Sequence, residues 1–206
     1  MPTAAAPTSR AERPAERGVA GNARLTGAFG AVIFVLLAVE GITVPSVRSL
    51  LSMHVYVGMV LVPFALVKTA STAYRFARYY RGDPRYVDKG APPLVLRVLG
   101  PIVVVTTLAL LGTGIGVLLA GSSARWLTKL HKATFIVWFG AMTVHVLGHL
   151  FETPALALAD WRARSRRDAD GAGFRLALLF VAAAVGIALA VWSRGWIASF
   201  HPLRDH

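Results

Sequence analysis

Residues 130–151, LHKATFIVWFGAMTVHVLGHLF, run for 22 positions with one lysine, no arginine and no acid. A helix needs about 20 mainly apolar residues to cross the hydrocarbon of a bilayer, so this run is long enough to span it. Four more runs have comparable length and character, at 26–46, 50–74, 95–120 and 174–198. Together they predict an all-α fold, an integral membrane bundle of five transmembrane helices. Pro63 and Pro101 fall inside two of the runs and are expected to kink them.

The rest of the composition agrees. Of the 206 residues, 55% are hydrophobic and 16% charged, against roughly 25% charged in a soluble domain. No cysteine is present, which excludes disulfides, thiolate-held metals, iron–sulfur clusters and covalently attached haem. The formal charge of +12 is not a nucleic-acid signal, because the basic residues sit in short segments between apolar runs, where the positive-inside rule accounts for them. Residues 1–24 lack apolar periodicity and read as a disordered cytoplasmic tail, 25–200 as the membrane domain, and 201–206 as a short extracytoplasmic tail. Lys and Arg are richest in the amino-terminal tail, from Arg75 to Arg97 and from Arg162 to Arg175. That places the amino terminus inside the cell membrane and the carboxyl terminus outside. Trp126, Trp192 and Trp196 then fall at the outer interface, and Tyr79, Tyr80 and Trp161 at the inner one.

On this topology the second and fourth helices run in the same direction, and His54 and His131 stand near their outer ends at similar depth. Ionisable side chains inside a membrane are costly and usually functional. Two imidazoles facing each other across a bundle can supply both axial ligands of a haem iron. His145 follows His131 by fourteen positions, about 21 Å of rise and about 40° short of four full turns, so both lie on one helix face. His149 is one turn further on the same face. That spacing suits two stacked haems.

On His54, His131 and His145, with the surrounding LHK and HVLGHL, the chain resembles membrane b-type cytochromes: the cytochrome b-561 type, the cytochrome subunits of hydrogenases and formate dehydrogenases, and ferric-reductase-like proteins. The resemblance implies non-covalent haem b and a four-helix haem-binding core plus one extra helix. It also implies electron relay between quinone and a redox-partner protein, with any substrate chemistry in a separate catalytic oxidoreductase subunit. Where a histidine fourteen positions after His54 would complete an inner pair, this chain has Lys68. One outer haem is therefore expected, with a second as the alternative, held by His145 or His149 together with Lys68, an external ligand, or a histidine from a partner subunit.

Other residues refine the expectation. Glu40 is the one acid well inside a run, and it either bonds the second nitrogen of a ligand imidazole, takes a proton beside the haem, or sits protonated on a backbone carbonyl. Arg48 and Lys132 are the expected anchors for haem propionates. The GTGIG stretch, Gly112 to Gly116, favours close helix packing over space for a porphyrin. Lys68 is expected to snorkel to the inner interface, and His201 and His206 to be exposed. Against the cytochrome stand two other readings: a haem-free transporter or channel with a path along His54, Lys68, Glu40 and His145, and a scaffold subunit or homo-oligomer acting through helix contacts in the lipid.

Overall fold

Tight turns determine which helices become neighbours. A computed structural model describes residues 12–88, 94–149 and 171–198. The long helices are α1 (Glu12–Thr43), α2 (Leu51–Tyr80), α4 (Leu94–Ala120), α5 (Arg125–His149) and α6 (Ala172–Trp192), with short α3 (Pro84–Val87) and α7 (Arg194–Ile197). No strand occurs among the described residues. A single 3-10 turn, Val44–Ser46, lies in the α1–α2 connection, and Gly121–Ser123 joins α4 to α5. Gly121 adopts φ 67°, a left-handed conformation that only glycine enters without strain; it reverses the chain so that α5 packs antiparallel on α4.

The five long helices are long and apolar enough to cross a membrane. Many large apolar side chains face outward, Phe180 at 73% exposure and Ile136 at 71% among them. Such a surface is a liability in water and the normal exterior of a bundle solvated by lipid. Helices α2 and α4 continue through Pro63 and Pro101. The first helix begins earlier than its apolar run: residues 12–24, a tail by composition, form the opening turns of α1. Ala, Arg and Glu are good helix formers, and towards the end of this extension Asn22 is packed, its Nδ2 donating to the Ser71 carbonyl at 3.4 Å and its Oδ1 accepting from Ser71 Oγ at 2.8 Å. Residues 1–11, the segment with Trp161, and the tail with His201 and His206 lie outside the described residues.

Two packing units result. Helix α2 lies between α1 and α6, around a core of Phe29, Phe64 and Ala182. Helices α4 and α5 form the second unit, joined by the Trp138 indole N–H donating to Thr107 Oγ1 at 2.9 Å. Met59, Leu118 and Ile197 bridge the units near the α7 end. Between α2 and α5 the rings of His54 and His131 meet. Helices α2 and α6 approach closely at Gly186, where an added Cβ would lie 3.0 Å from the Val60 Cα and carbonyl oxygen. Backbone cannot move aside as a side chain can, so Gly186→Ala should cost about 1–3 kcal/mol through overpacking, read as a lower midpoint in detergent unfolding.

Candidate functional site

The α1–α2 connection is short, which forces the last turn of α1 against the first turn of α2. Glu40 and Thr43 from one therefore meet His54 from the other. His54 Nδ1 lies 2.8 Å from Glu40 Oε1 and 3.1 Å from Thr43 Oγ1. The Thr43 hydroxyl donates to the Glu40 backbone carbonyl at 2.7 Å, so its proton is used there. The carboxylate is left as the acceptor of the His54 Nδ1–H. Gly58, one turn beyond His54, keeps the space open, for a Cβ there would stand 3.8 Å from Glu40 Oε1. Both side chains are largely covered, His54 at 24% and Glu40 at 14% exposure.

His131 is held the same way by a different helix. Its Nδ1 lies 3.2 Å from Thr113 Oγ1 on α4, while the Thr113 hydroxyl donates to the Ala109 carbonyl at 2.7 Å. With that proton committed, Thr113 accepts from the His131 Nδ1–H. The imidazole rests on Gly114, where an added Cβ would come within 3.1 Å of Cε1. Gly112 has nothing within 4 Å of such a Cβ, and Gly116 faces Leu127 at 3.7 Å. The glycines thus play separate parts, with Gly114 seating an imidazole and Gly116 allowing ordinary packing.

Between α2 and α5 the two imidazoles face each other, with ring centroids 6.3 Å apart and planes crossed at 81°. An imidazole nitrogen binds a first-row metal at about 2 Å, and with the ~1 Å from that nitrogen to its ring centre on each side, two rings sharing one metal stand about 6 Å apart. Nδ1 of each ring stands against a carboxylate or a hydroxyl oxygen, and a proton on Nδ1 satisfies those acceptors. That tautomer puts the lone pair of each ring on Nε2. These are the tautomers that a metal requires. No group of three or more His, Cys, Asp or Glu residues is placed to hold a bare metal ion among the described residues, whereas haem brings four equatorial nitrogens and asks the protein for two axial ones.

The other expected residues are dispersed. Arg48 and Lys132 are exposed at this same end. His145 is half-buried further along α5; the side chain of His149, the last residue of α5, lies outside the described residues. Lys68 turns away from α5 and donates from Nζ to the Thr26 carbonyl of α1 at 3.2 Å. Beside it, Thr26 Oγ1 and Ser71 Oγ are 2.5 Å apart. Met59, Leu61, Pro63, Phe64 and Ala65 fill the interval of α2 between His54 and Lys68, so apolar side chains separate the two polar groups. Sequence reading missed Thr43, Thr113 and Gly58; threonines in apolar runs usually bond their own helix, and nothing local marks these as also serving an imidazole. The chain matches no family model, and no curated protein and no solved structure is similar to it.

Proposed function

We propose that the chain is a transmembrane b-type cytochrome that carries electrons through a single haem b held by His54 and His131, between quinone and a redox partner at the outer face of the cell membrane. The observation that carries this reading is the pair itself, with ring centroids 6.3 Å apart and Nδ1 of each ring against a carboxylate or a hydroxyl oxygen. The four-helix core would be α1, α2, α4 and α5, which supply Glu40, His54, Thr113 and His131, with α6 as the extra helix. When bound, haem b supplies one-electron chemistry between ferric and ferrous states.

The protein's own part is positioning. Glu40 and Thr113 hold the imidazoles at fixed tautomer and orientation, so little has to rearrange when charge changes. The carboxylate also makes His54 the more strongly donating ligand. Arg48 and Lys132, exposed at the same end, are the cations available to propionates. The proposed orientation places this end outside, with the amino terminus in the cytoplasm. The haem-free path loses support from the apolar interval between His54 and Lys68.

Protein purified from a haem-replete host is expected to be red, with the reduced-minus-oxidised bands of b-type haem. A colourless preparation would overturn the reading. Gly114→Val tests the seat of His131: its branched side chain collides with the ring, and haem content should fall at least tenfold. Gly112→Ala, in open space, should retain it.

A further inference from the structure

We infer that the end of the bundle around His54 and His131 is a docking surface for an acidic soluble redox protein, an inference that rests on the cytochrome reading above. Five cationic side chains, Arg48, Arg125, Lys129, Lys132 and Arg194, are exposed there. They come from separate elements: Arg48 from the α1–α2 connection, Arg194 from α7, and the others from the first turns of α5. The α7 contribution belongs to the same end, because Ile197 packs with Met59 and Leu118.

Among the described residues this end holds one acid, Glu40, and its carboxylate is turned inward onto His54. The rim is therefore of one sign. By the positive-inside rule this is the side on which cations are not needed for topology, so their clustering calls for another cause. Arg125, Lys129 and Lys132 recur at i, i+4 and i+7, which gathers them on one side of α5. His54 stands in the first turn of α2 and His131 in the second turn of α5, so both lie within two turns of the connections Val44–Leu50 and Gly121–Ala124 at this end.

A one-sign rim around a redox centre attracts partners of opposite charge and raises association rates by roughly 10- to 1000-fold at low salt. It orients them with their own centre towards His54 and His131. One electron crosses per encounter, lost by one partner and gained by the other. The rim draws on three separate elements, which suits a protein face better than a small anion.

The test uses the full chain in phosphatidylcholine nanodiscs and two soluble one-electron acceptors of opposite charge, acidic plastocyanin and basic cytochrome c. Fluorescently labelled plastocyanin should bind the wild type at low salt and be released as salt rises, and the reduced protein should be oxidised faster by plastocyanin than by cytochrome c. The triple variant Arg125→Glu, Lys129→Glu, Arg194→Glu should lose plastocyanin binding at least tenfold and gain affinity for cytochrome c; Lys129→Glu alone should show the same trend if the triple variant folds poorly. Equal binding of both acceptors, or plastocyanin binding unmoved by charge reversal, would overturn the inference. So would cations saturated by copurifying anionic phospholipid, with plastocyanin excluded from the wild type. The binding arm needs no haem, so a colourless protein that still binds plastocyanin counts against the cytochrome reading and not against the surface.

Discussion

Replacing either His54 or His131 with alanine is expected to remove the b-type spectrum completely, whereas His145→Ala and Lys68→Met should each keep it. The two outer imidazoles face one another 6.3 Å apart, and a bis-imidazole site that loses one nitrogen loses half of its protein-derived bonds. The carboxylate Glu40 is bonded to Nδ1 of His54, behind the ring, and is not placed to take the lost nitrogen's part. Lys68 donates to the Thr26 carbonyl and faces α1, so its removal disturbs a helix–helix contact and leaves the imidazole pair intact. Pyridine-haemochrome titration should count one haem per wild-type chain, one in the His145→Ala and Lys68→Met proteins, and none in the His54→Ala and His131→Ala proteins. Loss of all haem from His145→Ala would show that the ligands are paired differently. The ferric wild type should also give a strongly anisotropic low-spin paramagnetic resonance signal, since the two imidazole planes are crossed at 81°.

The second large effect is expected at Glu40. Partners that orient a ligating histidine commonly contribute 10- to 100-fold to metal affinity, so Glu40→Ala should weaken haem retention by about that factor in a transfer assay to apomyoglobin. The conservative Glu40→Gln keeps a hydrogen-bond acceptor and should hold haem better, but it removes the negative charge 2.8 Å from Nδ1. A less electron-rich His54 stabilises ferric iron less, so the midpoint potential of Glu40→Gln should rise. Thr113→Val removes a neutral acceptor from His131 and should shift the potential less. A purely structural Glu40 would leave the potential of Glu40→Gln unchanged, which separates positioning from packing. The same substitutions test the asymmetry of the site, a carboxylate behind one ligand and a hydroxyl behind the other.

Much of this molecule is legible along the chain because lipid imposes a simple rule. Every backbone polar group must be satisfied within the segment, so apolar runs of sufficient length become helices, and the five runs correspond to the five long helices. The shared depth of His54 and His131 follows from the same rule, since each stands near the start of a span. Composition misled at residues 12–24, where polarity suggested a tail and contacts of Asn22 with Ser71 belong to a packed helix. The GTGIG stretch was also only partly legible: spacing predicts close packing, but it does not reveal that Gly114 faces an imidazole while Gly112 faces nothing.

By itself, then, the sequence determined the number of helices long and apolar enough to cross a membrane, their order, and the place of His54 and His131 near the starts of two of them, because each of these depends on local hydrophobicity and helical rise alone. The tertiary structure decided that Glu40 and Thr113 stand against Nδ1 of the two rings and that Lys68 bonds α1. Those features depend on the rotation of each helix about its own axis. Rotation is determined by contacts such as Phe29 with Phe64 and Trp138 with Thr107, which join residues far apart in the chain and leave no local mark in it.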